Sequence, residues 1–114
     1  MGHRDFVGAS GVVYRYLSVE SDQGVPLGAG NFLYAREADG CPTVVYAGEA
    51  ERLVSAIRAG WDDAVSTHGA THLFARRNVG FATRAAEQAD LVKGYAPVMN
   101  GPVEETEPSA SLNP

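Results

Sequence analysis

The sequence predicts an α+β fold, a small three- to four-stranded, mostly antiparallel sheet flanked by helices. Three observations predict it. Short stretches rich in Val and Tyr read as strands, Asp39-Gly40 marks a tight turn between two of them, and apolar residues recur at helical spacing from position 50 onward.

Taken in order, residues 1–10 carry His3, Arg4 and Asp5 with no apolar block and read as a flexible N-terminus without a secretory signal. Residues 11–20 read as a strand, and the polar, Gly-containing stretch 21–30 as a loop. Residues 31–37 and 43–47 flank Asp39-Gly40, a pattern that predicts a β-hairpin closed by Gly48. Ala50, Leu53, Val54 and Ile57 then fall at i, i+3, i+4 and i+7, one face of a helix that Gly60 ends or kinks. Trp61, Ala64 and Val65 mark a second short helix that stops at Gly69, and residues 71–76 a further strand. Phe81, Ala82, Ala85, Ala86, Ala89 and Val92 line a longer helix, with Gly94 as its C-terminal cap and Pro97 beyond. The expected domain spans residues 11–100, and residues 101–114, rich in Pro, Ser and Glu, read as a disordered acidic tail.

The bulk properties narrow the classes of function. A chain of 114 residues suffices for one core. No apolar run approaches the roughly 20 residues that span a bilayer, so no membrane partner and a cytoplasmic location are expected. The single Cys41 forms no internal disulfide and no thiolate cluster. The formal charge of −5 disfavours tight non-specific nucleic-acid binding, which depends on Lys and Arg neutralising phosphates. Glu104, Glu105 and Glu107 of the tail supply part of it, and without them the balance is −2.

Val45-Tyr46-Ala47-Gly48-Glu49 ends a strand and opens a helix, and Gly30-Asn31-Phe32-Leu33-Tyr34 lies across the hairpin from it. Downstream come Gly69-Ala70-Thr71-His72 and the run Ala86-Glu87-Gln88-Ala89-Asp90-Leu91-Val92, with Tyr95, Pro97 and Asn100 after it. Together these segments, over residues 13–100, resemble the GIY-YIG nuclease family. The resemblance implies metal-dependent cleavage of a DNA strand: hairpin tyrosines helping to activate water, an Arg on the first helix holding the phosphate, and a single Glu on the later helix binding magnesium or manganese. Such a site suits an anionic, slowly hydrolysed diester, which needs a Lewis acid, a base and fixed positive charge.

Carried over residue by residue, the resemblance places Tyr46 squarely, with Gly48 and Asn100 beside the substrate; on the facing strand the first motif reads either as Gly30-Asn31-Phe32, which loses the hydroxyl, or as Phe32-Leu33-Tyr34, which keeps Tyr34 and loses the glycine. The expected Glu falls on Gln88, inside an apolar stripe with Phe81, Ala85 and Val92 that aims it inward toward the paired tyrosines. An amide is a poor ligand for a hard cation, so unaided metal binding at Gln88 is disfavoured; Glu87, about 100° around the helix, is the substitute metal ligand, or else a solvated charge paired with Arg84. The expected Arg falls on Ala56, flanked by Arg52, which shares its face, and Arg58, which does not. Arg76, Arg77 and Arg84 form a modest basic cluster able to touch phosphates. His68 and His72 stand four apart, but Gly69 interrupts them and no third zinc ligand is near. The expectation is a GIY-YIG-like domain acting on or binding DNA, with cleavage weak or lost. An active endonuclease using Tyr46 and Glu87, with a divalent metal, is one alternative. A non-catalytic domain with a protein partner is the other.

Overall fold

A computed structural model describes residues 2–20 and 24–101. It is a small α+β domain: β1 (His3–Val7), β2 (Val13–Val19), β3 (Gly30–Ala38), β4 (Cys41–Ala50), α1 (Leu53–His68), β5 (His72–Arg77) and α2 (Phe81–Tyr95), followed by a 3-10 turn (Val98–Asn100). The strands form one antiparallel sheet in the order β1-β2-β5-β3-β4. Five strands therefore replace the expected three or four. The additional one is β1, which falls within the stretch expected to be flexible. Only Phe6 of β1 is fully buried, so the alternation that marks a half-buried strand is hidden between exposed polar neighbours. The expected tail lies outside the described residues apart from Gly101, as does part of the expected loop at 21–30.

Asp39 and Gly40 both take positive φ, 56° and 74°, the conformation of the two-residue turn whose twist matches its strands. β3 is the central strand, and its residues 30–35 are buried on both faces. Phe32 and Tyr34 point to one side, where α1 brings Leu53, Ile57 and Ala64, while Leu33 and Ala35 point to the other, where α2 brings Leu91. Two apolar clusters thus lie back to back across the sheet.

The helices differ from expectation in ways that have physical causes. α1 runs unbroken through Gly60, because this glycine serves a close approach rather than a break. A Cβ there would lie 2.9 Å from the Tyr34 hydroxyl, which donates to the Ile57 carbonyl at 2.6 Å. Gly69 ends the helix as expected, in the left-handed conformation with φ 71°. α2 continues past Gly94 to an Ala96 cap with φ 46°, and a Cβ on Gly94 would lie 3.0 Å from the Ala9 nitrogen. Here too the glycine answers to packing.

These contacts give a first prediction. Gly60→Ala should destabilise the chain by about 1–3 kcal/mol, the usual range for overpacking. In a Tyr34→Phe background the penalty should shrink, because the crowding hydroxyl is gone. Urea unfolding of both single variants and the double variant measures the coupling; equal penalties in the two backgrounds would contradict this reading of Gly60.

Candidate functional site

The buried polar residues Asn31, Arg84 and Glu87 converge where α2 crosses the sheet, and α2 buries charges rather than its alanines. Arg84 is 2% exposed and Glu87 3%, whereas Phe81 is 66% exposed and Ala82, Ala86 and Ala89 face solvent. Of the expected stripe Phe81 is exposed while Ala85, Gln88 and Val92 are half-buried, at the rim of the face that Arg84, Glu87 and Leu91 bury; Glu87, expected to be a solvated charge or a metal ligand, points into the sheet.

Each buried charge is met by a partner far away in sequence. Tyr16 on β2 donates its hydroxyl to Glu87 Oε2 at 2.5 Å. Asn78 Nδ2 approaches Glu87 Oε1 at 3.3 Å, and Arg76 Nε lies 3.2 Å from the same oxygen. That last contact is an ion pair without hydrogen-bond alignment, since Arg76 Nε has no aligned acceptor. Asn78 also donates to Asn31 Oδ1 at 3.0 Å, and Asn31 donates to the Arg84 carbonyl at 3.0 Å. Arg84 in turn donates through Nε to Glu49 on β4 at 2.9 Å and through Nη1 to the Val79 carbonyl at 2.6 Å. Farther along α2, Asp90 accepts from the Ser10 amide and hydroxyl and from Tyr14. Buried polar groups are stable only when satisfied in this way, and removing one member of a buried ion pair commonly costs about 3–5 kcal/mol.

The electrostatics follow from these partners. Burial pushes the Glu87 carboxyl above the usual range, while the Tyr16 hydroxyl, Arg76 and Asn78 pull it back. Burial, then the charge and hydrogen bond of Glu87, push the Tyr16 phenol far up. Asp90 moves the other way, held below the usual range first by the Ser10 hydroxyl and then by Tyr14.

The residues expected to act together are divided by the sheet. Tyr34 and Tyr46 are cross-strand partners with ring centroids 5.7 Å apart, in the α1-side cluster with Phe32 and Trp61. The Tyr34 side chain is buried, its hydroxyl is committed to Ile57, and burial together with the charge of Tyr46 raises its pKa to about 12. Tyr46 is half-buried, and the hydroxyl has no hydrogen-bond partner among the described residues. Gly48 leaves room for the Phe32 and Tyr46 rings, to which a Cβ would come within 2.7 Å. Ala56 packs against this cluster, Arg52 is the exposed N-cap residue of α1, and Arg58 is exposed on the same helix.

Gln88 belongs to α2, on the opposite side, and its amide donates to the Ala47 carbonyl at 3.1 Å. Asn100 clasps the same residue, accepting from the Ala47 N–H and donating to its carbonyl, both at 2.9 Å. The expectation that Gln88 is aimed at the paired tyrosine hydroxyls is therefore corrected: Gln88 and Asn100 together plug the backbone of edge strand β4. The basic cluster is divided as well. Arg84 is buried, Arg76 lies over the Tyr14 ring beside Glu87, and Arg77 alone of the three is exposed. His72 pairs with Glu37 at 3.2 Å, while His68 offers its backbone carbonyl to Arg36. Among the described residues no group of three or more His, Cys, Asp or Glu side chains is placed to hold a metal ion, and no helix is long and apolar enough to cross a membrane.

Sequence reasoning missed Tyr16, Asn31, Asn78, Glu49 and Asp90 as members of a network. Its one available signal was the i, i+3, i+6 run of Arg84, Glu87 and Asp90, a polar stripe on a helix otherwise rich in alanine. Comparison of the chain with protein-family models, curated proteins and solved structures returned no match.

The raised pKa of Glu87 has a definite sign in stability. The folded chain holds this proton more tightly than the unfolded chain, so Glu87 favours folding at low pH and that contribution is lost as pH rises through the raised pKa. Asp90, with a lowered pKa, contributes in the opposite sense. The stability of the wild type relative to Glu87→Gln should therefore fall as pH rises from about 4 toward neutrality. Thermal or urea unfolding across that range measures it, and a difference that grows with pH would contradict the placement of Glu87.

Proposed function

We propose that this chain is a GIY-YIG-like domain that no longer cleaves phosphodiesters and acts as a DNA-binding module. The observation that carries the loss of cleavage is the commitment of its polar groups. Gln88 and Asn100 hold the β4 backbone, the Tyr34 hydroxyl holds the Ile57 carbonyl, and Glu87 is enclosed by Tyr16, Asn78 and Arg76. A hard divalent cation needs anionic oxygens open to it, and these residues offer none beside Tyr46. Losing one electrostatic group from such a site commonly costs ~10²-fold or more in rate, and here both the carboxylate and the helix arginine are replaced.

What supports the scaffold part of the reading is the chain order of hairpin, helix, strand and helix, with β3 central between β4 and β5. What supports binding is the end of the sheet where β3 begins. Gly30 pairs with Arg77 on one side and Ala50 on the other, so Arg77 and Arg52 flank one spot, both exposed and without an ion pair among the described residues. Exposed Val79 and Phe81 follow Arg77 directly. Two cations give weak, salt-sensitive attraction to phosphates, in keeping with an acidic chain.

Plasmid DNA incubated with magnesium or manganese should remain supercoiled; metal-dependent nicking abolished by Tyr46→Phe would overturn the loss of cleavage. Fluorescence anisotropy with a short duplex should give weak binding, with a log–log salt slope of roughly −2 for two phosphate contacts. Arg52→Glu with Arg77→Glu should abolish it. Binding that ignores salt and both charge reversals, or no binding at all, would reject DNA and favour a protein partner.

A further inference from the structure

The two edges of the sheet are treated differently. β4 is closed: Asn100 mimics a neighbouring strand at Ala47, Gln88 adds a second donor, and Pro42 near the strand's start carries no N–H. Among the described residues β1 has no such cover. The amide of Gly8 donates to Val12, and the carbonyl of Gly2 accepts from Ser18. By alternation Arg4 and Phe6 turn their backbone groups toward β2, and His3, Asp5 and Val7 turn theirs outward. The outward N–H of Val7 is taken by the Tyr95 hydroxyl at 3.0 Å, which leaves the backbone of His3 and Asp5 as the open edge. Among the described residues nothing packs on most of the sheet face on the α1 side of β1 and the start of β2. Its cross-strand pairs are His3 with Leu17, Asp5 with Arg15 and Val7 with Val13, and both valines are exposed.

We propose that two copies of this chain associate antiparallel through β1, His3 of each opposite Asp5 of the other, joining the two sheets into one. Two features select this register. Aligning Asp5 with Asp5 would set like charges directly opposite, which is unfavourable, and would demand the Val7 N–H already held by Tyr95. Moving the two-fold axis to Arg4 leaves the Val7 N–H with Tyr95 and puts His3, rather than a second carboxylate, opposite Asp5. His3 and Asp5 then form hydrogen-bonded pairs, each exchanging two backbone bonds, with an imidazole beside a carboxylate on the α1-side face. Asp5 keeps one oxygen for this, since only Oδ1 meets Arg15, at 3.0 Å. The two Arg4 side chains meet at the axis on the other face, where each is already neutralised by Glu37 at 2.6 Å. An open edge is a ready template for another strand, and a second copy supplies an imidazole beside each Asp5 carboxylate.

Sedimentation equilibrium of the full chain between ~1 µM and ~1 mM should show mass rising from 12.0 kDa toward twice that value. Asp5→Pro, which deletes an outward N–H, should keep the chain monomeric. Should that variant unfold, the charge at position 3 still decides. His3→Lys should tighten association by roughly 3- to 10-fold and His3→Asp should loosen it by a similar factor, from two cross-strand pairs. The same changes at exposed Ser55 should leave it unmoved. A monomer at every concentration, or a dimer indifferent to position 3 or moved equally by Ser55, would overturn the proposal.

Discussion

The hydrogen bond and charge network around Glu87 is the constraint on which the arrangement of this domain depends. A carboxylate buried at the centre of α2 is tolerable only while Tyr16, Asn78 and Arg76 face it, and those residues come from β2, the loop after β5, and β5 itself. The helix is therefore fixed in rotation and height over three regions at once. Arg84 with Glu49 extends the same logic to β4, and Asp90 with Tyr14 and Ser10 extends it to β2 and the turn before it. Apolar contact alone, through Leu91 and partly buried Val92 and Tyr95, would specify the docking less sharply than directional bonds do.

This docking also determines what the chain can do chemically. With Glu87 and Arg84 turned inward, α2 presents alanines to solvent and Gln88 to the backbone of the β4 edge. The amide there completes a structural closure that Asn100 shares. The hairpin tyrosines lie across the sheet from it, one of them with its hydroxyl committed to helix α1. The groups that a hydrolytic centre would draw together are thus distributed over two faces and an edge, and among the described residues most have a structural partner, the Tyr46 hydroxyl and Arg52 being exceptions.

Much of the fold was legible in the sequence, because its signals are local. Asp39-Gly40 between alternating residues marked the hairpin, the spacing of Leu53, Val54 and Ile57 marked α1, and Gly69 marked its end. The misses share a cause, since each depended on a neighbour remote in sequence. Gly60 reads as a breaker until Tyr34 is seen beside it, and Gly94 reads as a cap until Ala9 is seen beside it. β1 buries only Phe6 fully and looks unstructured without β2. The inward face of α2 was misjudged because alanines at helical spacing resemble a core stripe, while Arg84 and Glu87 look like a surface pair until Glu49 and Tyr16 supply partners. The candidate site was less legible than the fold for the same reason: matched positions along a chain do not say which side of a sheet they occupy.

A double-mutant cycle between Tyr16 and Glu87 tests this account most directly. Tyr16→Phe, Glu87→Gln and the double variant, compared by urea unfolding at neutral pH, should reveal a coupling of about 1.5–3 kcal/mol, the range for a hydrogen bond to a charged group. Additive effects, with no coupling between the two positions, would mean that Glu87 does not anchor α2 to the sheet.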